Sequence, residues 1–248
     1  MRANILLSPA NVDELYFTGK TTVVIDVLRA TSVIVTALNN GAREIIPVST
    51  VDFAMKVSGN AFGGQTILGG ERNTKMIEGF NLGNSPLEYT PEVISGKSII
   101  LYTTNGSKAI IKAKFSENLF VCCFNNLSTI AKHLVTLGKD FLILCAGTAG
   151  TFSIEDTVCA GKLITTMLSM DNSIELSDSA RAAIALNKTF GKSILKMLKE
   201  SEHGQLLIKN GFKDDLSYCS KVDSINIIPY YTSGVVKKFD NGSTNIEL

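Results

Sequence analysis

The sequence predicts an α/β fold built on a largely parallel sheet, and three observations carry that prediction. Short apolar runs recur along the 248 residues, helix-like stretches separate most of them, and acids stand where three of the runs give way to loop. Runs that are continuous and rich in Ile and Val suit strands covered on both faces. Their alternation with helices makes the connections crossovers between parallel neighbours. Ligands of such sheets bind outside the carboxyl ends of the strands. Asp26, Glu71 and the Glu155-Asp156 pair would therefore meet at one edge, although they come from distant segments.

The elements follow in order. A first run at 22–28 leads into a helical stretch at 30–40, which Gly41 closes. The run at 44–48 precedes a helix at 50–58 closed by Gly59, and the run at 66–70 ends at Gly69-Gly70-Glu71-Arg72. Glycine just past the last periodic residue is the usual helix stop. A polar connection from 71 to 91, with Gly79, Asn81, Gly83, Asn84 and Pro86, is longer than most loops of compact domains, and such loops are commonly functional. Runs at 98–103, 119–124 and 141–146 alternate with helices at 107–113, 127–137 (closed by Gly138) and 157–169. One long covering helix is predicted over 179–201, with Ala183, Ile184, Leu186, Phe190, Ile194, Leu195 and Leu198 on a helical repeat, and a last run lies at 224–230. With 45% hydrophobic residues and no composition break, one domain over 1–248 is expected.

Composition narrows the function. A net charge of +1 argues against a bulk electrostatic partner, so neither nucleic acid nor an anionic membrane is expected, and any anion recognition must be local. No signal-like segment and no apolar stretch of about 18 residues is present, which points to the cytoplasm. The five cysteines form no CxxC pair and read as buried free thiols of a reducing compartment. Only His133 and His203 are available, so a bound metal would be a hard cation held by oxygens rather than a His-rich zinc or iron site.

In Ile25-Asp26-Val27-Leu28-Arg29-Ala30-Thr31 an acid and a base stand three residues apart where strand meets helix. Asp26 can ligate a cation and Arg29 can grip an oxyanion through its planar fork; alternatively the two form an ion pair that fixes the turn. Gly70-Glu71-Arg72 repeats the juxtaposition after a second strand. Carboxylates for a divalent metal beside arginines for an anion are what phosphoryl transfer needs. Thr103-Thr104-Asn105-Gly106-Ser107 and Gly147-Thr148-Ala149-Gly150-Thr151 are strand-to-helix turns whose amides can approach an oxyanion, or simple turns. Ser153-Ile154-Glu155-Asp156 reads as an N-cap with acids in the first turn, as metal ligands, or as one of each. His203 either ends a helix at the surface or, if it reaches the site, donates a proton to a leaving alkoxide. His133 reads as structural.

Other chemistries lack their signatures. The Gly191-Lys192-Ser193 triplet has Leu186 where a nucleotide phosphate loop needs glycine. Leu28 stands where aspartyl-nucleophile phosphatases place a second Asp, and no cysteine begins a Cys-x5-Arg loop.

Taken together, 24–32, Gly70-Glu71-Arg72, 79–86, Thr104-Asn105-Gly106, Cys145-Ala146-Gly147, Glu155-Asp156, His203-Gly204 and Asp215-Leu216-Ser217-Tyr218-Cys219 resemble the 2-phosphosulfolactate phosphatase (ComB) family over nearly the whole chain. The resemblance implies a three-layer α/β/α domain with a mixed sheet between helical layers. It also implies Mg²⁺-dependent hydrolysis of 2-phospho-3-sulfolactate to 3-sulfolactate and phosphate, a step toward coenzyme M. On that reading Asp26, Glu71 and Glu155 or Asp156 hold Mg²⁺, and Arg29 and Arg72 neutralise the small anionic substrate. Asn84, Ser85, Asn105 and the amides of Gly147 to Gly150 orient it, and His203 is the proton donor. A covalent phospho-Asp26 is an open variant, and the alternatives are a phosphatase acting on a related phosphorylated hydroxy acid or a catalytically silent anion-binding module. A homodimer is the ordinary expectation for such an enzyme.

Overall fold

Six of the seven apolar runs become strands in the computed structural model, which describes residues 1–10, 12–60 and 66–239. The chain begins with β1 (Arg2–Leu6), β2 (Thr21–Ile25), α1 (Ala30–Asn39), β3 (Glu44–Val48), α2 (Val51–Asn60), β4 (Thr66–Arg72) and β5 (Lys75–Met76). It continues through α3 (Pro91–Ile94), β6 (Ser98–Tyr102), α4 (Gly106–Lys112), β7 (Asn118–Cys122), α5 (Leu127–Leu137), β8 (Phe141–Cys145) and α6 (Ile154–Leu168). The last third holds β9 (Glu175–Leu176), α7 (Asp178–Phe190), α8 (Ile194–Glu200), α9 (Glu202–Lys209), α10 (Lys213–Cys219), β10 (Pro229–Thr232) and β11 (Val235–Lys238).

All the strands join one mixed, mostly parallel sheet in the order β5-β4-β6-β3-β11-β10-β7-β2-β8-β1-β9. Two parallel blocks, β4-β6-β3 and β7-β2-β8-β1-β9, flank the antiparallel hairpin β10-β11. The hairpin meets each block antiparallel, through Tyr230 opposite Phe120 and Val236 opposite Ile45. Three successive antiparallel junctions reverse the strand sense between the blocks, which in a flat sheet would put their carboxyl ends on opposite edges. Both blocks nevertheless pack on the same two helices, α1 and α4. The carboxyl ends of β2, β4, β6 and β8 thereby converge on one cleft.

The sequence of α1 explains its place. Every residue from Ala30 to Leu38 is buried, and a helix apolar all round belongs inside. Its three hydroxyls are satisfied locally: Thr31 bonds the Asp26 carbonyl, Ser32 the Val27 carbonyl and Thr36 the Ser32 carbonyl. Burying Val33, Ile34, Val35 and Leu38 contributes ~1.5–3 kcal/mol each. Strand alternation builds a core on each face: Val23 and Ile25 join one cluster with α5 and α6, while Val24 joins the other with α1 and α4.

The structure departs from the sequence expectations in several places. The helix over 179–201 is two, α7 and α8, because the chain turns at Gly191, a poor helix residue whose N–H closes α7 on the Asn187 carbonyl. The strand at 224–230 starts only at Pro229. Ahead of it, Ile225 N–H donates to the Asn125 carbonyl and the Asn126 amide donates to the Ile227 carbonyl, so side chains and loop take the ladder groups. Strand β1, not anticipated, is legible as alternation, with Ala3 and Ile5 buried between more exposed neighbours. In addition, α2 runs past Gly59 to Asn60, and α6 starts at Ile154, three residues before the expected 157.

The five cysteines are free and buried. Among the described residues no helix is long and apolar enough to cross a membrane.

Candidate active site

Asp26 is the first residue past β2, and its geometry is fixed by the start of α1. Its N–H donates to Thr31 Oγ1 at 3.0 Å while its carbonyl accepts from the Thr31 N–H and hydroxyl at 3.0 and 2.7 Å. One carboxylate oxygen, Oδ1, accepts the Ala30 N–H at 3.2 Å; the other, Oδ2, accepts nothing among the described residues. Gly106, at the start of α4, packs so close that a Cβ there would lie 2.5 Å from Oδ2 and against Ala30. Burial raises the Asp26 pKa to about 7, the Glu71 and Glu155 charges push the same way, and the Ala30 N–H and Arg29 oppose them.

Arg29 is buried beside it, after a cis Leu28–Arg29 peptide. Its Nη1 donates to Asp215 Oδ2 at 2.7 Å, its Nη2 to the Thr74 carbonyl at 2.8 Å, and its guanidinium lies 4.2 Å from the Phe212 ring centroid. The strand-end arginine is thus in an ion pair, but with Asp215 of α10 rather than with Asp26.

The other acids brace the turns around the cleft. Glu71 accepts the Thr74 N–H with one oxygen and the Thr104 N–H with the other, both at 2.8 Å, which ties β4 to the turn after β6. Asp156 accepts the Val27 N–H at 2.8 Å and the Gly147 N–H at 3.1 Å, tying the turns after β2 and β8 to α6. Ser153 caps α6 through the Asp156 N–H. Burial, together with Asp26 and Glu155, raises the Asp156 pKa well above the carboxylate range, and burial raises that of Glu155. Three buried carboxyls, Asp26, Glu155 and Asp156, thus resist ionisation, and a cation placed among them would relieve that.

The cleft has a volume of ≈170 Å³ and is lined by Asp26, Arg29, Glu71, Asn84, Asn105 and His203, together with Thr74, Thr103, Thr104, Thr148, Ala149 and Leu206. That is room for on the order of ten water-sized groups, suited to a small ligand. Two polar atoms here are buried without a partner, Asn84 Oδ1 and His203 Nδ1. His203 also lines a second cleft, shared with Thr148, Glu155 and Glu202. It is carried there by α9, whose Gly204 packs on the Leu198 carbonyl with no space for a side chain. Burial lowers the His203 pKa, and Arg29 adds to that. A neutral imidazole can relay a proton at its unpartnered nitrogen.

Some expected residues lie elsewhere. Arg72 is exposed and outside the cleft lining, since alternation along β4 turns Glu71 inward and Arg72 outward. Ser85 donates to Asp215 Oδ1 at 2.6 Å and caps a 3-10 turn, so its hydroxyl serves Asp215. The Gly147 N–H is taken by Asp156, and Gly150 sits outside the cleft lining in a turn closed by hydrogen bonds between Thr148 and Thr151. Asn105 accepts the Ala149 N–H at 3.2 Å. Asp215 and Phe212 are the partners that sequence reasoning missed. The available signal was an acid sharing the buried face of a short helix with Leu216 and Cys219. His133 packs edge-to-face with Phe120 and Phe239, ring centroids 4.8 and 5.0 Å away.

Among the described residues no group of three or more His, Cys, Asp or Glu side chains is arranged to hold a metal ion. The donor chemistry still suits Mg²⁺, which takes one or two carboxylates and leaves its other positions to water and substrate oxygens. Asp26 Oδ2 and the buried Asn84 Oδ1 are cleft oxygens that accept no hydrogen bond from the described residues, whereas each carboxylate oxygen of Glu71 and of Asp156 accepts one.

The chain is similar to known proteins along most of its length. A family model described as 2-phosphosulpholactate phosphatase matches residues 6–234. The chain is 39% identical over 236 residues to a probable 2-phosphosulfolactate phosphatase of Clostridium acetobutylicum, covering 95% of this chain and 100% of the relative. It is 42% identical over 218 residues to a protein of the same description from Caldanaerobacter subterraneus, covering 88% of this chain and 90% of the relative. A third, from Clostridium novyi, is 42% identical over 231 residues, covering 93% and 97%. The match runs through both parallel blocks and all the helices that meet at Asp26, and on it the chain belongs to the 2-phosphosulfolactate phosphatase family.

Proposed function

We propose that the protein is a magnesium-dependent phosphatase that hydrolyses 2-phospho-3-sulfolactate to 3-sulfolactate and phosphate. The observation that carries this reading is the Asp26 carboxylate, at the end of β2, with one oxygen unengaged in a small cleft beside a buried arginine. The names of the relatives supply the substrate; the cleft supplies the reason that a phosphate ester fits.

The electrostatics call for a cation. Arg29 is the buried guanidinium of the cleft and its charge is offset by Asp215, while Asp26, Glu71, Glu155 and Asp156 lie nearby. A multiply charged anion entering that neighbourhood would be repelled without added positive charge. Asp26 and Asn84 would hold Mg²⁺, which when bound supplies positive charge to phosphoryl oxygens and to a water. Arg29 offers an oxyanion the N–H groups not spent on Asp215 and Thr74. Water attacks phosphorus, the bond between phosphorus and the ester oxygen breaks, and the leaving alkoxide takes a proton. His203, which lines the cleft, would relay that proton, and burial, which lowers its pKa, favours the neutral ring. Buried free thiols suit a reducing cytoplasm.

The test is phosphate release from 2-phosphosulfolactate, phospholactate and phosphoglycerate, each with magnesium and with EDTA. Selective turnover of the sulfonated ester with magnesium is expected. Turnover of the other esters alone would keep the phosphatase and reject the sulfonate. No turnover of any would favour an anion-binding module.

A further inference from the structure

We propose, on the phosphatase reading above, that Asp215 is a positioning residue that acts through Arg29 and sets the angle at which its guanidinium meets the substrate's phosphoryl group. Asp215 does not line the cleft, so it cannot touch substrate there; Arg29 does. Asp215 is 2% exposed, and both its oxygens are committed: Oδ2 accepts from Arg29 Nη1 at 2.7 Å and Oδ1 accepts from the Ser85 hydroxyl at 2.6 Å. The guanidinium is fixed from two further directions, by the Thr74 carbonyl at 2.8 Å from Nη2 and by the Phe212 ring at 4.2 Å. These contacts consume two of its five N–H groups and leave three without a partner among the described residues.

A long flexible side chain is therefore ordered before any ligand arrives, and that removes an entropy cost from binding. Because Asp26 and Arg29 leave the same strand end three residues apart and line one cleft, a phosphoryl group at Asp26 is within the reach of Arg29. The chain draws the support from far away: Ser85 stands 130 residues before Asp215, and Arg29 stands 186 before it. Motif 79–86, α10 and the turn after β2 thus converge on one guanidinium.

The alternative is that the ion pair only fastens α10 to the strand ends. A mutant cycle of Asp215→Asn, Arg29→Lys and the double variant separates the two, with kcat, KM and the urea midpoint measured for each and the affinity for inorganic phosphate measured by calorimetry in magnesium buffer. Asp215→Asn keeps size and an acceptor oxygen and is expected to stay folded. Positioning predicts that it raises KM and the phosphate Kd together by about 10–100-fold with kcat changed little, and that it adds almost nothing in the Arg29→Lys background. Ser85→Ala, which loosens Asp215 without removing its charge, should give a smaller rise in KM with the same dependence on Arg29. A purely structural role would lower the active fraction, reducing kcat at constant KM and leaving the phosphate Kd of the folded protein unchanged; that pattern overturns the proposal. If the wild type binds phosphate but turns nothing over, the phosphatase reading fails and the phosphate Kd values still decide the role of Asp215. If the wild type neither binds phosphate nor turns over any ester, both are overturned.

Discussion

Arg29 Nη1 and Asp215 Oδ2 lie 2.7 Å apart with both side chains almost fully buried. Removing one partner of such a pair strands the other charge in a low-dielectric site. Asp215→Ala should therefore cost about 3–5 kcal/mol of stability. Urea denaturation of the purified variant measures it, and a loss below about 1 kcal/mol would show that the pair is more hydrated than its burial implies.

The raised pKa of Asp26 makes stability depend on pH. Folded Asp26 holds its proton up to about 7, whereas the unfolded chain releases it near the ordinary value of 3.8. The native state binds more protons between these values, so this contribution is present at the acid end and is lost as pH rises through 7. Asp26→Asn removes it. In metal-free buffer the variant should gain on the wild type between pH 4.5 and 8 by on the order of a few kcal/mol. His203, whose lowered pKa acts in the opposite sense, is common to both proteins and cancels in the difference. A difference that does not vary with pH would contradict the burial of the Asp26 charge.

The strand-end acids were legible because a continuous apolar run ends where its polar neighbour leaves the core. Asp26 and Glu71 follow that rule. The partners of those residues were hidden, because they depend on contacts between distant segments. Arg29 meets Asp215 only once α10 is docked, and the Ser85 hydroxyl takes its role from the same event. Arg72 was placed with Glu71 by proximity in sequence, although consecutive strand residues face opposite ways. The reversal between the two parallel blocks depends on β10 and β11, each bridged to its block through a single residue pair, and no local pattern announces it.

Gly106 is irreplaceable for a steric reason. Its Cβ would press on Ala30 and lie 2.5 Å from Asp26 Oδ2. Gly106→Ala should cost ~1–3 kcal/mol and lower kcat/KM by about 10–100-fold through displacement of the carboxylate. Phosphate-release kinetics and thermal melts check both numbers, and full activity would show that the turn yields without moving Asp26.

Asn84 Oδ1 is buried with no protein partner. If it serves a cation, Asn84→Ala should raise the half-saturating magnesium concentration by about 10-fold, with kcat largely recovered at high magnesium. EDTA should abolish wild-type turnover, and added magnesium should restore it. A variant with the wild-type magnesium dependence would remove Asn84 from the metal's surroundings.

The role of Asp26 is the centre of the account. The most direct measurement is magnesium-dependent phosphate release from 2-phosphosulfolactate by Asp26→Asn beside the wild type, with the urea midpoint of each as a control for folding. The prediction is a variant at least as stable as the wild type at pH 8 that releases no phosphate above background. Near-normal turnover by a folded Asp26→Asn protein would contradict it and move the chemistry to another residue of the cleft.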